Sequence, residues 1–244
     1  MRKIVAYPLS VIYIVCFALL LVIFHPIQVI CHKVFGYNAH MRSVEILNLL
    51  LMRSLLILGN RVHFKNPYNI STEKPCIIVA NHQSMYDIPP LVWHMRKHDP
   101  KFISKKELGK GIPSVSYNLR HGGAALIDRK DKEQAFKEIL KLAKNASKSG
   151  RSVVIFPEGT RSRNGMPKKF QQGGLKILLK KMPEAILVPV SINNSWKTLR
   201  YGKFPFGIGY NLEFEVHQPI LNRDMPAEEL INKLEQTIFA AVKS

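Results

Sequence analysis

Hydrophobic and polar positions divide the chain into two unlike parts. From Ile4 to Cys31 there is no Lys, Arg, Asp or Glu, and the centre reads LSVIYIVCFALLLVIF. As a helix this stretch would extend roughly 42 Å, beyond the ~30 Å of a bilayer core. Arg2 and Lys3 precede it, which favours a cytoplasmic N-terminus and a folded part on the cytoplasmic side of a membrane. A secretory signal peptide is the competing reading, opposed by the lack of a clear small-residue cleavage site. A second apolar patch, ILNLLLMRSLLILG at 46–59, is short for a span and carries Arg53, as an interfacial or re-entrant helix would. Pro26 is expected to interrupt the first segment, so a bent pair of helices dipping into one leaflet stands beside a full span. Residues 1–61 are therefore read as membrane-anchoring helices.

From Val62 onward the pattern is that of an α/β domain, taken as 62–244. Short β-rich runs stand at CIIVA (76–80), SVVIF (152–156), ILVPVSI (186–192) and the alternating YNLEFEV (210–216). Helical patterns lie between them. In DKEQAFKEILKLAKNASKSG, the residues Ala135, Phe136, Ile139, Leu140 and Ala143 fall on one face, and Gly150 supplies a stop. A second helix is expected over 171–181, ended before Pro183, and a third over PAEELINKLEQTIFAAVK with Asp224 as candidate N-cap. Strands alternating with helices predict a mixed, largely parallel sheet flanked by helices, with the membrane-embedded helical segment in front.

Charge changes this picture more than composition does. Among the 244 residues, 36 Lys and Arg against 17 Asp and Glu give a net charge of +19, which calls for an anionic partner. The apolar N-terminus selects an anionic membrane and phosphorylated substrates over nucleic acid. Cys16, Cys31 and Cys76 form no CxxC pair and fit a reducing compartment, with no zinc site or disulfide framework.

Candidate chemistry gathers just after the strands. NHQSMYD (81–87) follows the run CIIVA, at the kind of strand end where α/β sheets carry functional side chains. His82 could take a proton from a hydroxyl at neutral pH if Asp87 held its other ring nitrogen. Asp87 could equally cap the helix before Pro89. In VIFPEGTRSRNG (154–165) Gly159 permits close backbone approach, Thr160 offers a hydroxyl and Arg161 a planar fork suited to phosphate. A structural ion pair between Glu158 and Arg161 is the bland alternative. KFISKKELGKGIP (101–113) carries Lys105, and GGAALIDRKD (122–131) ends an apolar run on Asp128-Arg129.

The content, order and spacing of these blocks resemble the glycerophospholipid acyltransferase family, and within it the lysophosphatidic acid acyltransferases. His82 and Asp87 match its histidine, four residues, aspartate motif. Lys105, Glu107 and Leu108 resemble the second block, Gly123 to Arg129 the third, Phe156 to Arg161 the most diagnostic, and Val188-Pro189-Val190 the last. The resemblance runs over residues 75–192. It implies transfer of an acyl chain from a thioester, on coenzyme A or acyl carrier protein, to the sn-2 hydroxyl of lysophosphatidic acid, giving phosphatidic acid. His82 would be the general base and Asp87 its orienting carboxylate, with no acyl-enzyme. Arg161, Arg129 and Lys105 would hold the acceptor phosphate, with Glu158, Gly159 and Thr160 shaping that pocket. The implied reaction needs no metal and no cofactor beyond the thioester co-substrate. Alternatives are a related enzyme acting on glycerol-3-phosphate or a lyso-aminolipid, or a non-catalytic module binding anionic lipid or nucleic acid.

Overall fold

The computed structural model describes residues 2–222 and 225–243. Helix α1 (Arg2–Ser54) holds Pro8 and Pro26 within it, and its break falls at Gly36, where φ is 81° and ψ −167°. The bend expected at Pro26 therefore lies ten residues later. A proline deletes one backbone donor and can be absorbed by a long helix, whereas a glycine at positive φ redirects the chain. The two arms then lie side by side, with Leu21 packed against Leu47 and Leu51. The second arm, continued by a 3₁₀ turn (Leu55–Leu58), spends its leucines on the protein interior: Leu47, Leu51, Leu55 and Leu58 are buried.

The first arm has two apolar faces. Ala6, Ser10, Tyr13, Leu21 and Gln28 are buried against the rest of the protein. The Phe206 backbone N–H donates to the Ser10 hydroxyl at 2.8 Å, and Tyr13 belongs to the same core as the sheet. The other face leaves Ile4, Val11, Val15, Leu19, Val22, Ile23 and Ile30 exposed. By length and composition this helix is sufficient to cross a membrane.

Strand β1 (Arg61–Lys65) follows, then β2 (Cys76–Ala80), helix α2 (Ile88–His94), β3 (Lys101–Lys105), α3 (Val115–His121) and β4 (Ala125–Ile127). Next come α4 (Lys132–Ser149), β5 (Val153–Ile155), α5 (Gln172–Lys181), β6 (Ile186–Asn193), β7 (Asn211–Val216), β8 (Ile220–Leu221) and α6 (Ala227–Ala241). The sheet order is β1-β7-β6-β2-β5-β3-β4, with β8 paired to β6. Strands β6, β2, β5, β3 and β4 are mutually parallel, while β7 and β8 run antiparallel to β6. The sheet is thus mixed and largely parallel, as the alternation of strands and helices predicts.

All five residues of β2 are buried because the sheet is covered on both faces. Alternation sends Ile78 into a core shared with Tyr13, Leu55 and Leu91, and Ile77 and Val79 into one shared with Leu142, Leu175 and Leu234. Side chains on either side of residue 61 therefore share a single core.

Four strands have no counterpart in the hydrophobic pattern, the two-residue β8 among them. β1 lies in the join after the apolar patch, with alternating partial burial, and β4 is three residues long. β3 bears lysines at both ends; Lys101 is nonetheless buried and pairs with Asp99 at 2.5 Å. On α4 the buried stripe is Ile139, Leu142, Ala143 and Ala146, so Phe136, expected inside, is exposed. Phe136 keeps the spacing of that stripe, three residues before Ile139 and seven before Ala143, but it lies a turn nearer the start of the helix, outside the buried stretch. Asp131 caps α4 by accepting from the Gln134 N–H, and Gly150 ends it at positive φ. Pro226 precedes the first residue of α6; the candidate cap Asp224 lies outside the described residues.

Candidate active site

Because β6, β2, β5, β3 and β4 run the same way, their carboxyl ends share one edge, where open α/β sheets place ligands. Across that edge lie, in order, the turn after β6 with Ser195, the loop after β2 with His82 and Asp87, and the turn after β5 with Glu158 to Arg161. Lys105 at the end of β3 and Arg129 after β4 complete the row. Sequence-distant candidates are thereby neighbours.

The loop after β2 is shaped by its own polar residues. Ser84 initiates a 3₁₀ turn (Met85–Asp87), its hydroxyl accepting from the Tyr86 N–H at 3.1 Å. Asp87 makes no side-chain cap to α2; it turns back, and its Oδ2 accepts from the Ser84 N–H at 3.0 Å and the Gln83 N–H at 2.7 Å. The same oxygen lies 2.8 Å from His82 Nδ1. An ionised carboxylate only accepts, so Nδ1 carries the proton and Nε2 is left as the free base. Among the described residues, none donates to Nε2. Asp87 is wholly buried and His82 is 7% exposed.

Phe156 stacks on the imidazole, with ring centroids 4.1 Å apart and planes 19° apart. Ser162 N–H donates to the His82 carbonyl at 2.7 Å, tying the turn after β5 to the dyad. Glu158 does the same from the other side: its carboxylate accepts from the backbone N–H of His82 at 2.8 Å and of Lys168 at 3.0 Å. Glu158 thus braces the pocket wall from behind, with both oxygens engaged by backbone. Burial pushes its carboxyl up to about 7 even though both N–H donors favour the charged form. Gly159 has φ 70°, and a Cβ there would meet the Gln171 side chain at 2.8 Å. Thr160 is exposed.

The cationic candidates also converge. Partial removal from water lowers the pKa of Arg161, as do the adjacent guanidiniums of Arg129 and Arg163, while Asp87 opposes the shift. Lys105 is exposed and pairs with Glu107 at 2.8 Å, and Arg129 reaches the same carboxylate electrostatically. Arg129 and Arg163 crowd Arg161, with Asp87 and Glu107 as the nearby carboxylates, which leaves uncompensated positive charge, the setting for an anionic phosphate. Arg163, second of the two arginines after the Pro-Glu-Gly-Thr turn, joins this group.

Gln83 and Ser195 also belong to the site and carried no signal of their own. Gln83 Oε1 accepts from the Ser195 N–H at 3.1 Å, and the Ser195 hydroxyl donates to Asp87 Oδ1. Only the parallel pairing of β6 with β2 brings Ser195 to the dyad.

Comparison with known proteins is consistent with this geometry. A family model described as acyltransferase matches residues 61–193. A 1-acyl-sn-glycerol-3-phosphate acyltransferase of Helicobacter pylori is 38% identical over 129 residues, 49% of this chain and 51% of that protein. A chloroplastic enzyme of the same name from Brassica napus is 30% identical over 170 residues, 69% of this chain and 48% of that one. The chain thus spans about half the length of the curated relatives it matches. The crystal structure of the 1-acyl-sn-glycerophosphate acyltransferase PlsC from Thermotoga maritima superposes with a TM-score of 0.82 at 25% identity, covering 99% of this chain and 96% of that one.

Proposed function

The chain belongs to the acyltransferase family, and from that premise we propose that it moves a fatty acyl group from a thioester to the sn-2 hydroxyl of lysophosphatidic acid, forming phosphatidic acid. One observation carries the proposal: a buried His–Asp pair and a cluster of arginines occupy adjacent positions on the same sheet edge. His82 Nε2 takes the proton of the acceptor hydroxyl as its oxygen attacks the thioester carbonyl. Asp87 holds the ring through Nδ1 and stabilises the imidazolium. When the tetrahedral intermediate collapses, the C–S bond breaks and the departing sulfur takes the proton from Nε2. Acceptor oxygen attacks directly, so no acyl-enzyme forms.

Arg161 and Arg129 hold the acceptor phosphate, with Lys105 beside them once it releases Glu107. Glu158, Gly159 and Thr160 set the wall of that pocket. The relatives' shared name, an acylglycerol phosphate acyltransferase, supports this assignment of acceptor. Coenzyme A and acyl carrier protein are both suitable anionic donors. The outward apolar face of α1 sits in lipid, while its buried face is spent on the domain; a helix so committed lies in one leaflet rather than through it. This holds the sheet edge at the surface where both substrates reside, on the cytoplasmic side.

A panel of acceptors with purified protein in mixed micelles tests the assignment. Turnover is expected with lysophosphatidic acid and any one long-chain acyl thioester. Turnover on glycerol-3-phosphate or lysophosphatidylethanolamine without turnover on lysophosphatidic acid would overturn it.

A further inference from the structure

The bond between Ser195 and Asp87 lies outside every block of the resemblance. Residues 193–195 leave β6 through Asn194, which takes a left-handed conformation at φ 66° and is held by its amide donating to the Asn211 carbonyl at 3.1 Å. That turn aims Ser195 back at the dyad across the edge of β2. The residue is wholly buried, and its hydroxyl faces two acceptors, Asp87 Oδ1 and, at 3.5 Å, Gln83 Oε1.

The two oxygens of Asp87 thus have different duties. Oδ2 takes His82 and the backbone N–H groups of Gln83 and Ser84. Oδ1 takes only hydroxyls among the described residues: Ser195, and Ser84 at a long 3.4 Å. Gln83 locks the arrangement from both ends, its amide reaching the Ser195 N–H and the Gly165 carbonyl.

We infer that Ser195 is a positioning residue for the reaction: its hydroxyl, bonded to the carboxylate oxygen that His82 does not use, fixes the plane of Asp87 and sets how strongly that carboxylate holds a charged imidazolium. The inference rests on the reading of His82 as general base. A donor on Oδ1 draws negative charge away from Oδ2. With the donor present, the charged imidazolium is held less tightly and passes its proton on more readily to the departing sulfur. Without it, Asp87 carries more charge towards Nδ1, holds the imidazolium more tightly, and gains freedom to rotate.

The test compares Ser195→Ala, Ser195→Thr and His82→Ala in full-length protein. In S195A, kcat near neutral pH is expected to fall about tenfold, the scale of one hydrogen bond to a charged group. KM for acceptor and thioester should stay constant, and the acid limb of the kcat profile should move to higher pH. Proton NMR should show the signal bridging His82 and Asp87 moving further downfield, a readout that needs no turnover. S195T, which keeps the hydroxyl, should return limb and signal to their wild-type positions. If H82A is inactive while S195A leaves both limb and signal unmoved, the role of Ser195 is wrong and the general-base reading stands. If H82A retains turnover, the general-base reading itself is wrong and the role of Ser195 goes with it.

Discussion

The two halves of the sheet's carboxyl edge are built on opposite principles. On the β2 side, every oxygen of Asp87 and both oxygens of Glu158 are engaged, and the side chains are buried. On the other side, Lys105 after β3, Arg129 after β4 and Arg161 after β5 are exposed, and like charges crowd Arg161. A proton-transfer group gains from being fixed before substrate arrives, because its geometry then needs no reorganisation. A phosphate pocket gains from the reverse: unsatisfied positive charge attracts the anion and is neutralised by it. On the proposed reading, one half is already in its working arrangement and the other is open to its ligand.

Breaking the ordered half should have the largest effect. His82→Ala is expected to lower kcat at least ~100-fold with little change in either KM, since the general base itself is lost. A steady-state comparison in micelles reads this directly, and retained turnover would refute the role. Breaking the open half should act on binding instead. Arg161→Lys keeps the charge but loses the fork, and should raise KM for the phosphorylated acceptor about tenfold while leaving KM for the thioester within twofold. Equal increases for both substrates would refute a phosphate contact.

The remaining effect is on stability rather than turnover and concerns Glu158, which sits behind both halves. Its carboxyl is raised by burial to about 7 from an ordinary value of 4.5. The folded state therefore binds a proton that the unfolded chain has released between those limits. Its sign is destabilising as pH rises: the contribution is nil below about 4.5 and costs a few kcal/mol once pH passes 7. Subtracting the melting profile of Glu158→Gln from that of the wild type should isolate this slope over pH 5–7. A flat difference would show that the carboxylate is ionised throughout.

Local pattern carried much of this. The buried strand β2, the α4 stop at Gly150 and the loop holding His82 and Asp87 all follow from residues near one another in sequence. Asp87 reaches His82 because Ser84 closes a turn only three residues long. Ser195 was not legible for the opposite reason. Ser195 stands 108 residues from Asp87, and its approach depends on the parallel register of β6 on β2. Short or charged strands failed likewise: Lys101 and Lys105 mask β3, whose burial comes from neighbours on either side rather than from its own composition.

The row of strand ends has a consequence for how such proteins can diversify. Lys105 and Arg129 hang from the two strands farthest along the edge from β6, and the dyad from β2, with β5 between them. Each cation sits on its own crossover. On the proposed assignment, substitutions in the turns after β3 or β4 would alter which headgroup is admitted while the His82–Asp87 pair stays intact. A new acceptor could be acquired one loop at a time, with an active catalyst at every intermediate step.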